Sequence, residues 1–375
     1  MNHRSRSGSW FSACLLVLAF AVLGLSGCSN TDNPQAVNET PLDGAVLLSA
    51  DNPAVKSVMA VQDRHTPILM ANPNVIGTAT TVGDDGKPAV MILVLSEDAR
   101  RAMPAKLEGI NTKVIVTDRI VAMGKPGGGG GVSHTAKQTP PIQLGTSGGW
   151  RYDLANGYCC GGTLGSLISV GGQKRILSNY HVFEADIVSG GNSRVAATGD
   201  YIIQPGLIDV SCNAANAQNV ATLVKTSSLP NNNVDCSSAT IISGMVADNG
   251  AILEIGTLSA STVAAALNQN VKKSGRTTGL TRSYVNGLNA SVSVAYDNEC
   301  AGGSAFTKTF TGQILISNGR RSSFLAGGDS GSLMVEDITT NPRAVGLLFA
   351  GSSTTAVANP INQVLSFLGA SMVGY

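Results

Sequence analysis

Short apolar runs separated by turn residues dominate the second half of the chain. From Trp150 onward these runs recur between clusters of Gly, Asn and Ser. Regular short strands with such turns are typical of an all-β sandwich or barrel, so we expect an all-β domain over residues 150–375. The predicted strands are 163–170, 175–179, 239–242, 252–255, 290–295, 312–316, 332–335 and 344–349. Apolar residues at helical spacing over 359–368 predict a final amphipathic helix.

Residues 47–123 show a different pattern, in which helical and strand-like segments are mixed. A helix is expected over 54–59, and a strand over 114–117. Two apolar segments, 75–81 and 87–95, flank a Gly-Asp-Asp-Gly turn, which predicts a hairpin. Ser96 is followed by two acidic residues, the pattern of a capped helix start. We therefore predict a small α+β module without evident chemistry.

Residues 124–149 separate these two regions and are rich in Gly, Pro and Ser. They begin with Gly-Lys-Pro over 124–126 and then contain the five-glycine run 127–131. Such composition cannot bury a core and is typical of a flexible linker, so we place a domain boundary here. His134 lies in this segment, and we expect it to be exposed to solvent.

The first 27 residues predict an export signal. Arg4 and Arg6 precede an apolar stretch over 11–25, which is too short and ends too sharply to predict a membrane span. The stretch ends in Leu-Ser-Gly-Cys28, which resembles a bacterial lipobox, so the resemblance implies cleavage before Cys28 and lipidation of that residue. A plain secretory peptide is the alternative. Residues 28–46 would form a tether, and Ser29 in place of an aspartate favours the outer membrane within the cell envelope.

Composition limits the other classes of function. The chain has 25 basic and 24 acidic residues, so nothing indicates a nucleic-acid partner. No metal, nucleotide or flavin motif is evident, and we expect no cofactor. Beyond the signal and Cys28, an odd set of cysteines remains, so we expect one or two disulfides with open connectivity. These cysteines are Cys159, Cys160, Cys212, Cys236 and Cys300.

The stretch Ala326-Gly-Gly-Asp-Ser-Gly-Ser332 is the strongest candidate for chemistry. Its glycines allow a sharp turn in which consecutive N–H groups point into one small space. A hydroxyl beside two such donors suits acyl transfer, with Ser330 as nucleophile and the N–H groups of Gly328 and Ser330 as an oxyanion hole. Taken alone, such a run is also compatible with an ordinary turn.

A serine nucleophile needs a base, and the base needs an orienting acid. His181 is the histidine within the β domain, at the end of an apolar strand. Asp235 follows a polar loop and enters an apolar run, which gives the chain order His, Asp, Ser. Asp209 is the second choice for the acid, ahead of Asp186 and Asp200. Alternatively, Asp235 has no catalytic role and is a turn residue whose side chain caps its own backbone.

Several segments resemble chymotrypsin-like serine peptidases. The small-residue strand at 161–167, followed by the apolar strand ending at His181, looks like the first barrel of that family. Segment 345–352 resembles the strand that backs the specificity pocket and pairs with bound peptide. Segments 199–206 and 273–281 look like a bacterial trypsin-like branch that includes relatives of the plant NARROW LEAF protein. The resemblance covers residues 150–370.

The resemblance implies a double six-stranded β-barrel, a polypeptide substrate and hydrolysis through an acyl-enzyme. Phe324 occupies the position, six before the serine, where trypsin-like enzymes carry an acid. With Phe349, Ala350 and Gly351 as the pocket wall, we expect a preference for neutral or apolar side chains. No Ile-Val-Gly-Gly start precedes the barrel, so other hydrogen bonds must orient Asp329. A non-catalytic binding module that keeps the fold is the alternative function.

Overall fold

A computed structural model describes residues 44–122, 132–155, 158–184, 194–296, 306–319 and 323–375. The predicted signal segment, the lipidation position Cys28 and the predicted tether up to residue 43 lie outside these ranges, as do Asp186 and Cys300. In the part of the chain that the structure describes, no helix is both long and apolar enough to cross a membrane.

Strands make up most of the regular structure. The strands up to residue 178 are β1 (Leu48–Ser49), β2 (Val75–Val82), β3 (Pro88–Val94), β4 (Lys106–Leu107), β5 (Ile110–Val116), β6 (Ile120–Ala122), β7 (Thr146–Trp150), β8 (Leu154–Ala155), β9 (Tyr158–Cys159), β10 (Gly162–Leu164), β11 (Ser166–Val170) and β12 (Gln173–Ser178). The later strands are β13 (Tyr201–Gln204), β14 (Gln218–Val224), β15 (Ser237–Ile241), β16 (Ala266–Leu267), β17 (Asn270–Gly275), β18 (Gly279–Tyr296), β19 (Phe306–Ser317), β20 (Leu333–Glu336), β21 (Ala344–Gly351), β22 (Thr355–Pro360) and β23 (Ala370–Met372). The helices are α1 (Pro53–Met70), α2 (Glu97–Ala102), α3 (Tyr180–Phe183) and α4 (Ile361–Leu368), with 3₁₀ turns at Leu207–Asp209 and Ala214–Asn216.

The C-terminal half contains a closed barrel. Its strands follow the hydrogen-bonded order β17, β20, β21, β22, β19 and β18, and β18 pairs back with β17. Every neighbouring pair in this ring is antiparallel. Buried apolar side chains from these strands, including Val271, Val285 and Leu348, pack together inside. Closure satisfies the backbone groups that an open sheet would leave at its edges.

The preceding barrel closes through a bend at Gly165. Its order is β10, β7, β13, β14, β15, β12 and β11, and β10 and β11 are consecutive segments on either side of Gly165. A Cβ at Gly165 would lie 2.1 Å from Gly331 O and 2.8 Å from Leu177 O, so a side chain would not fit. Taken as one bent strand, β10 and β11 complete a ring of six. The predicted all-β fold with two six-stranded barrels is therefore confirmed.

The N-terminal segment adds strands to the second barrel. Strand β2 pairs with the far part of β18, with Leu288 opposite Thr80 and Val292 opposite Gly77, and β3, β5 and β4 continue the same sheet. Helix α1 packs on these strands, and its buried Gln62 donates to Asn289 O at 2.7 Å. The predicted helices and hairpin of this segment are present, although their sheet is continuous with that of the barrel.

Part of the segment assigned to a linker lies inside the first barrel. Residues 146–149 belong to β7, where a Cβ at Gly148 would lie 2.3 Å from Leu164 Cδ2. The glycines in β7 allow neighbouring strands to pack closely. Composition alone does not distinguish glycines with this role from glycines in a flexible linker. The expectation of a solvent-exposed His134 is wrong: its side chain is buried and bonds to Gly145 O and to Glu254 Oε2 at 2.8 and 2.7 Å.

Two further expectations need correction or completion. The predicted strand over 252–255 is wrong, since these residues form turns with only isolated bridges. Strand β23, which follows α4 and pairs with β11, was not predicted. Cys159 and Cys212 form a disulfide with a Cα–Cα distance of 5.5 Å, and Cys236 is a buried free thiol.

Candidate active site

The three predicted residues lie at the junction of the two barrels. His181 is in α3, directly after β12. Asp235 precedes β15 in the first barrel, and Ser330 precedes β20 in the second. Thr163 N, in β10, donates to Ser330 O at 2.8 Å, so the serine turn is tied to the first barrel.

Asp235 is fully buried and held by several donors. Its Oδ1 accepts the Tyr180 N–H at 2.7 Å. Its Oδ2 is bonded to His181 Nδ1 at 2.7 Å and accepts the Tyr296 hydroxyl at 2.8 Å. Asn359 fixes the backbone by accepting the Asp235 N–H at 2.9 Å. The carboxylate therefore has one orientation, with one oxygen facing the imidazole.

Tyr296 is a supporting residue that sequence reasoning missed. Burial and the charge of Asp235 raise the pKa of Tyr296 well above its ordinary value, so the phenol keeps its proton and acts as a donor. The tyrosine lies 61 positions from Asp235 in the sequence, and no local pattern indicates the contact. Its ring also packs edge-on to His181, with the ring centroids 6.0 Å apart.

The bond to Asp235 determines the role of each nitrogen of His181. An ionised carboxylate can only accept, so Nδ1 carries the proton and the neutral imidazole leaves Nε2 as an acceptor. Among the described residues, Nε2 is buried and has no hydrogen-bond partner. The ring therefore presents a basic nitrogen to the site, as a general base requires.

Ser330 is fully buried, and its hydroxyl points to the second barrel. Its Oγ donates to Phe349 O at 3.3 Å rather than to His181 Nε2. A Cβ on Gly162 would meet both Val182, next to the histidine, and Ser330 O, so the serine and histidine segments contact the same glycine. No hydrogen bond joins the Ser330 hydroxyl to the His181 imidazole, so the serine side chain would have to leave Phe349 O before the two groups could bond.

The turn around the serine requires two glycines. Gly328 and Gly331 have φ of +92° and +91°, in the left-handed region. A Cβ would lie 2.5 Å from Thr277 Oγ1 at Gly328 and 2.2 Å from Ser178 Oγ at Gly331. Among the described residues, the N–H groups of Gly328 and Ser330 have no hydrogen-bond partner. Turns of this kind form concavities that bind negative charge, as an oxyanion hole does.

Asp329, between these glycines and the serine, is held by a buried lysine. Lys273 Nζ lies 3.1 Å from Asp329 Oδ2, and both side chains are fully buried. The N–H groups of Thr277 and Thr278 donate to Oδ1 at 2.8 and 3.1 Å, and Thr278 Oγ donates to Oδ2 at 2.7 Å. Hydrogen bonds therefore orient Asp329, as the sequence predicted in the absence of an Ile-Val-Gly-Gly start. The Lys273 ammonium group adds an ion pair to these bonds.

The sequence does contain a signal for Lys273. Adjacent residues of a strand point to opposite faces, so Lys272 and Lys273 in β17 cannot both face solvent if one face is the barrel interior. Burial lowers the pKa of Lys273, and the charge of Asp329 opposes that effect. The buried ion pair fixes the turn from behind.

The competing acids have other partners. Asp209 is paired with the Arg276 guanidinium and accepts the Ser147 hydroxyl at 2.5 Å. Asp200 accepts the Trp150 indole N–H at 3.0 Å and is paired with Arg194. Neither bonds to an imidazole, so Asp235 is the aspartate that the described structure brings to His181.

A competing thiol nucleophile is also disfavoured. Cys236, next to Asp235, is fully buried. Burial, together with the charges of Asp235 and Glu184, raises the pKa of the Cys236 thiol well above its ordinary value. A thiol must ionise to act as a nucleophile or metal ligand, and the described residues contain no cluster of three potential metal ligands.

The predicted pocket residues do not line one open pocket. Phe324 packs in the core of the second barrel, whereas Phe349 packs in a different apolar cluster with Phe310, the two rings 4.9 Å apart. Ala350 is buried, and both Ala350 and Gly351 pair with β6. The described cavities of about 290 and 430 Å³ are lined by other residues.

Comparison with known proteins gives similarity of fold. No protein-family model matches the chain, and no curated protein matches it. Similar solved structures include a glutamic-acid-specific serine protease, 18% identical with a TM-score of 0.41, covering 62% of this chain and 100% of that one. Thermobifida fusca protease A is 20% identical with a TM-score of 0.41, covering 62% and 99%. Cellulomonas bogoriensis chymotrypsin is 19% identical with a TM-score of 0.37, covering 62% and 99%.

These neighbours are bacterial serine proteases of the chymotrypsin fold. At these low identities and TM-scores, the similarity indicates a shared fold and says nothing about activity. Neither the narrower NARROW LEAF-related branch nor the lipoprotein signal follows from these similarities, and both stay predictions. The chemical interpretation depends on the geometry of this chain's own residues.

Proposed function

We propose that the protein is a serine endopeptidase that hydrolyses peptide bonds through an acyl-enzyme. The observation that carries the proposal is the bond between His181 Nδ1 and buried Asp235, which leaves Nε2 as a buried acceptor near the serine turn. An imidazole with one nitrogen fixed by a carboxylate, and the other buried with no hydrogen-bond partner among the described residues, suits proton transfer. A structural histidine would have both nitrogens satisfied.

In this proposal His181 Nε2 takes the proton of Ser330 as Oγ attacks the substrate carbonyl carbon. Asp235 keeps the imidazole in the required tautomer and stabilises its protonated form. The N–H groups of Gly328 and Ser330 bind the oxyanion. His181 then protonates the leaving amine, and a water molecule hydrolyses the ester by the same route. The hydroxyl must first leave Phe349 O and turn toward the imidazole.

A fluorophosphonate probe tests this assignment, because it reacts with activated serine hydroxyls. We expect labelling of the wild-type protein, loss of labelling in Ser330→Ala, and unchanged labelling in Ser371→Ala, a control at an exposed position on β23. Labelling that persists in Ser330→Ala would contradict the assignment. A protein that folds but neither reacts nor cleaves peptides would instead fit the binding-module alternative.

We also propose that the enzyme is exported and lipid-anchored through Cys28 to the cell envelope. The support is the sequence of the first 28 residues alone. Metabolic labelling with a fatty-acid analogue should mark the wild-type chain and not Cys28→Ser. Equal labelling of both would remove the lipid anchor and leave the peptidase proposal intact.

We propose a preference for neutral or apolar side chains on the acyl side of the cleaved bond. The proposal rests on the sequence position of Phe324, six before the serine, where trypsin-like enzymes carry an acid, because the structure does not bring Phe324 and Phe349 together in one open pocket. A peptide-library profile should therefore show apolar residues at this position. A profile dominated by basic residues would contradict the pocket assignment.

A further inference from the structure

The two N–H groups assigned to the oxyanion hole belong to peptide planes whose carbonyl groups face the other way. In a trans peptide the C=O and the N–H point in opposite directions, so whatever holds the carbonyl also aims the N–H. The Gly328 N–H shares its peptide plane with Gly327 O, and the Ser330 N–H shares its plane with Asp329 O. The partners of these two carbonyls therefore determine where the two donors point.

The carbonyl of Gly327 is held by a side chain from a distant segment. The Thr277 hydroxyl, in the turn between β17 and β18, donates to Gly327 O at 2.5 Å, and this threonine is buried. Among the described residues, Gly327 O has no other donor. The peptide plane lies between two glycines, so no Cβ on either side opposes its rotation. The direction of the Gly328 N–H therefore depends on the Thr277 hydroxyl.

The Thr277 hydroxyl has a donor of its own, which determines where its proton points. Arg276 Nη1 donates to Thr277 Oγ1 at 3.1 Å, and a guanidinium group has no acceptor. The hydroxyl therefore accepts from Arg276, and its proton is left for Gly327 O. The guanidinium is paired with Asp209, which follows β13 of the first barrel, with Arg276 Nε 2.9 Å from Asp209 Oδ2. A charged donor polarises the hydroxyl and strengthens the bond that the hydroxyl makes.

A second threonine holds the next carbonyl in the same way. The Thr163 hydroxyl, in β10, donates to Gly328 O at 3.0 Å and accepts the Arg276 N–H at 3.0 Å. The peptide planes before and after Gly328 are thus each held by a threonine hydroxyl that accepts from Arg276. These two bonds keep Gly328 in its left-handed conformation, with φ of +92°.

The other oxyanion donor, the Ser330 N–H, is held by two bonds. Asp329 O accepts the Ser332 N–H at 2.9 Å and the Ser332 hydroxyl at 2.5 Å. Side chains on Asp329 and Ser330 also restrict rotation of this peptide plane. Loss of the Ser332 hydroxyl would leave the backbone bond, whereas loss of the Thr277 hydroxyl would leave Gly327 O without its donor. Thr277 is therefore the more critical of the two hydroxyls.

We propose that Thr277 is a positioning residue, whose hydroxyl aims the Gly328 N–H at the oxyanion by holding Gly327 O, and that Arg276 orients this hydroxyl. This inference rests on the proposed peptidase function and adds residues that act on it through the backbone. The negative oxygen of the tetrahedral intermediate then meets an N–H whose direction is set in advance. Such preorganisation lowers the barrier, because no dipole has to turn during the reaction.

The rate of fluorophosphonate labelling tests this assignment, since the phosphoryl oxygen of the probe gains negative charge as the serine attacks. Thr277→Val removes the hydroxyl and keeps the backbone N–H that donates to Asp329. The second-order rate constant of labelling should fall about 10- to 100-fold, less than for removal of an oxyanion donor, because the Gly328 N–H is still present. Thr277→Ser keeps a hydroxyl donor and should stay within about threefold of wild type.

Thr81→Val is the matched control. Thr81 is also a buried threonine whose hydroxyl donates to a backbone carbonyl, that of Asn286 at 2.6 Å. It lies on β2, outside the candidate site. Thr81→Val should therefore leave the labelling rate within about twofold of wild type.

Steady-state kinetics with a fluorogenic peptide amide separates positioning from packing. In Thr277→Val, kcat should fall about as much as the labelling rate, while KM should change less than about threefold, because the oxyanion hole binds the transition state. Circular dichroism checks that each variant folds, and Thr277→Ala replaces Thr277→Val if the valine variant does not fold.

The possible outcomes distinguish this inference from the peptidase proposal. A wild-type labelling rate in the folded variant without the hydroxyl would overturn the positioning role and leave the peptidase proposal standing. A loss in Thr277→Ser as large as that in Thr277→Val would do the same. Failure of both Thr277→Val and Thr277→Ala to fold would also overturn the positioning role, because the hydroxyl would then be needed for the fold itself. Absence of labelling in the wild-type protein would overturn both proposals.

Discussion

Replacing Lys273 by methionine tests how the serine turn is held in place. The substitution keeps most of the side-chain volume and removes the ammonium 3.1 Å from Asp329 Oδ2. Both partners are fully buried, so the carboxylate would keep only its bonds to N–H and hydroxyl groups of the neighbouring segments. Removing one partner of a buried ion pair costs about 3–5 kcal/mol of folding free energy.

This free energy converts to a measurable change in Tm. For a folded region of roughly 330 residues, the entropy of unfolding makes about 3–5 kcal/mol equal to about 4–7 °C. Catalysis should fall as well, because a carboxylate that shifts to find new partners moves the N–H groups of Gly328 and Ser330. We expect kcat/KM to drop about 100- to 1000-fold, the range for loss of an oxyanion donor.

Lys272→Met is the matched control. Lys272 is the adjacent residue, is also buried, and donates to Ile338 O at 2.7 Å without contacting Asp329. It should leave kcat/KM within about twofold of wild type, as expected for a side chain outside the network. Lys273→Arg keeps the charge and should retain most activity, which preserves the test if Lys273→Met does not fold.

The reasoning would be refuted by a folded Lys273→Met protein with wild-type Tm and kcat/KM. A loss of stability with unchanged kcat/KM would show that the ion pair supports the barrel and not the turn. In the double variant Lys273→Met/Asp329→Asn, no buried charge remains unpaired, so most of the lost stability should return.

Three other predictions follow from the site. Asp235→Asn should keep the fold and lower kcat about 10⁴-fold, because the amide no longer fixes the productive imidazole tautomer. Circular dichroism checks the fold and steady-state kinetics measures kcat, and a loss of kcat below about tenfold would contradict the prediction. Tyr296→Phe removes one hydrogen bond to the Asp235 carboxylate, so the free energy of unfolding measured with denaturant should fall by about 1.5–3 kcal/mol, and kcat should fall less than in Asp235→Asn. Unchanged stability and kcat would contradict the supporting role of Tyr296. Because burial lowers the pKa of Lys273, the lysine loses its proton at a pH below the ordinary lysine pKa, and Asp329 then has no positive partner. Activity should therefore fall as pH rises through that value, and in Lys273→Arg the fall should occur at higher pH. Superimposable pH–activity profiles of the two proteins would contradict this account.

Local patterns were sufficient for most strands and for the order of the candidate triad. Short apolar runs between turn residues mark most of the strands, and Gly-Asp-Ser-Gly carries its own backbone requirements. The capped helix at Ser96 is equally local, since the hydroxyl accepts from Ala99 N three residues on. Features of this kind are determined by residues within one turn or strand.

The rest depends on contacts between distant segments. Tyr296 reaches Asp235 because β18 extends to the barrel junction, and nothing near either residue indicates it. Glycine-rich composition near residue 148 was interpreted as a linker, although its role is to let Leu164 approach the strand. The pairing of β6 with β21 could not be anticipated either, because it joins segments more than 200 residues apart.

Mapping the fluorophosphonate adduct by tandem mass spectrometry tests the central claim most directly. The account predicts one adduct, on Ser330, in the wild-type protein, and no adduct at this position in His181→Ala. An adduct on another residue, or unchanged modification of Ser330 without the imidazole, would contradict the claim that His181 and Asp235 activate this serine.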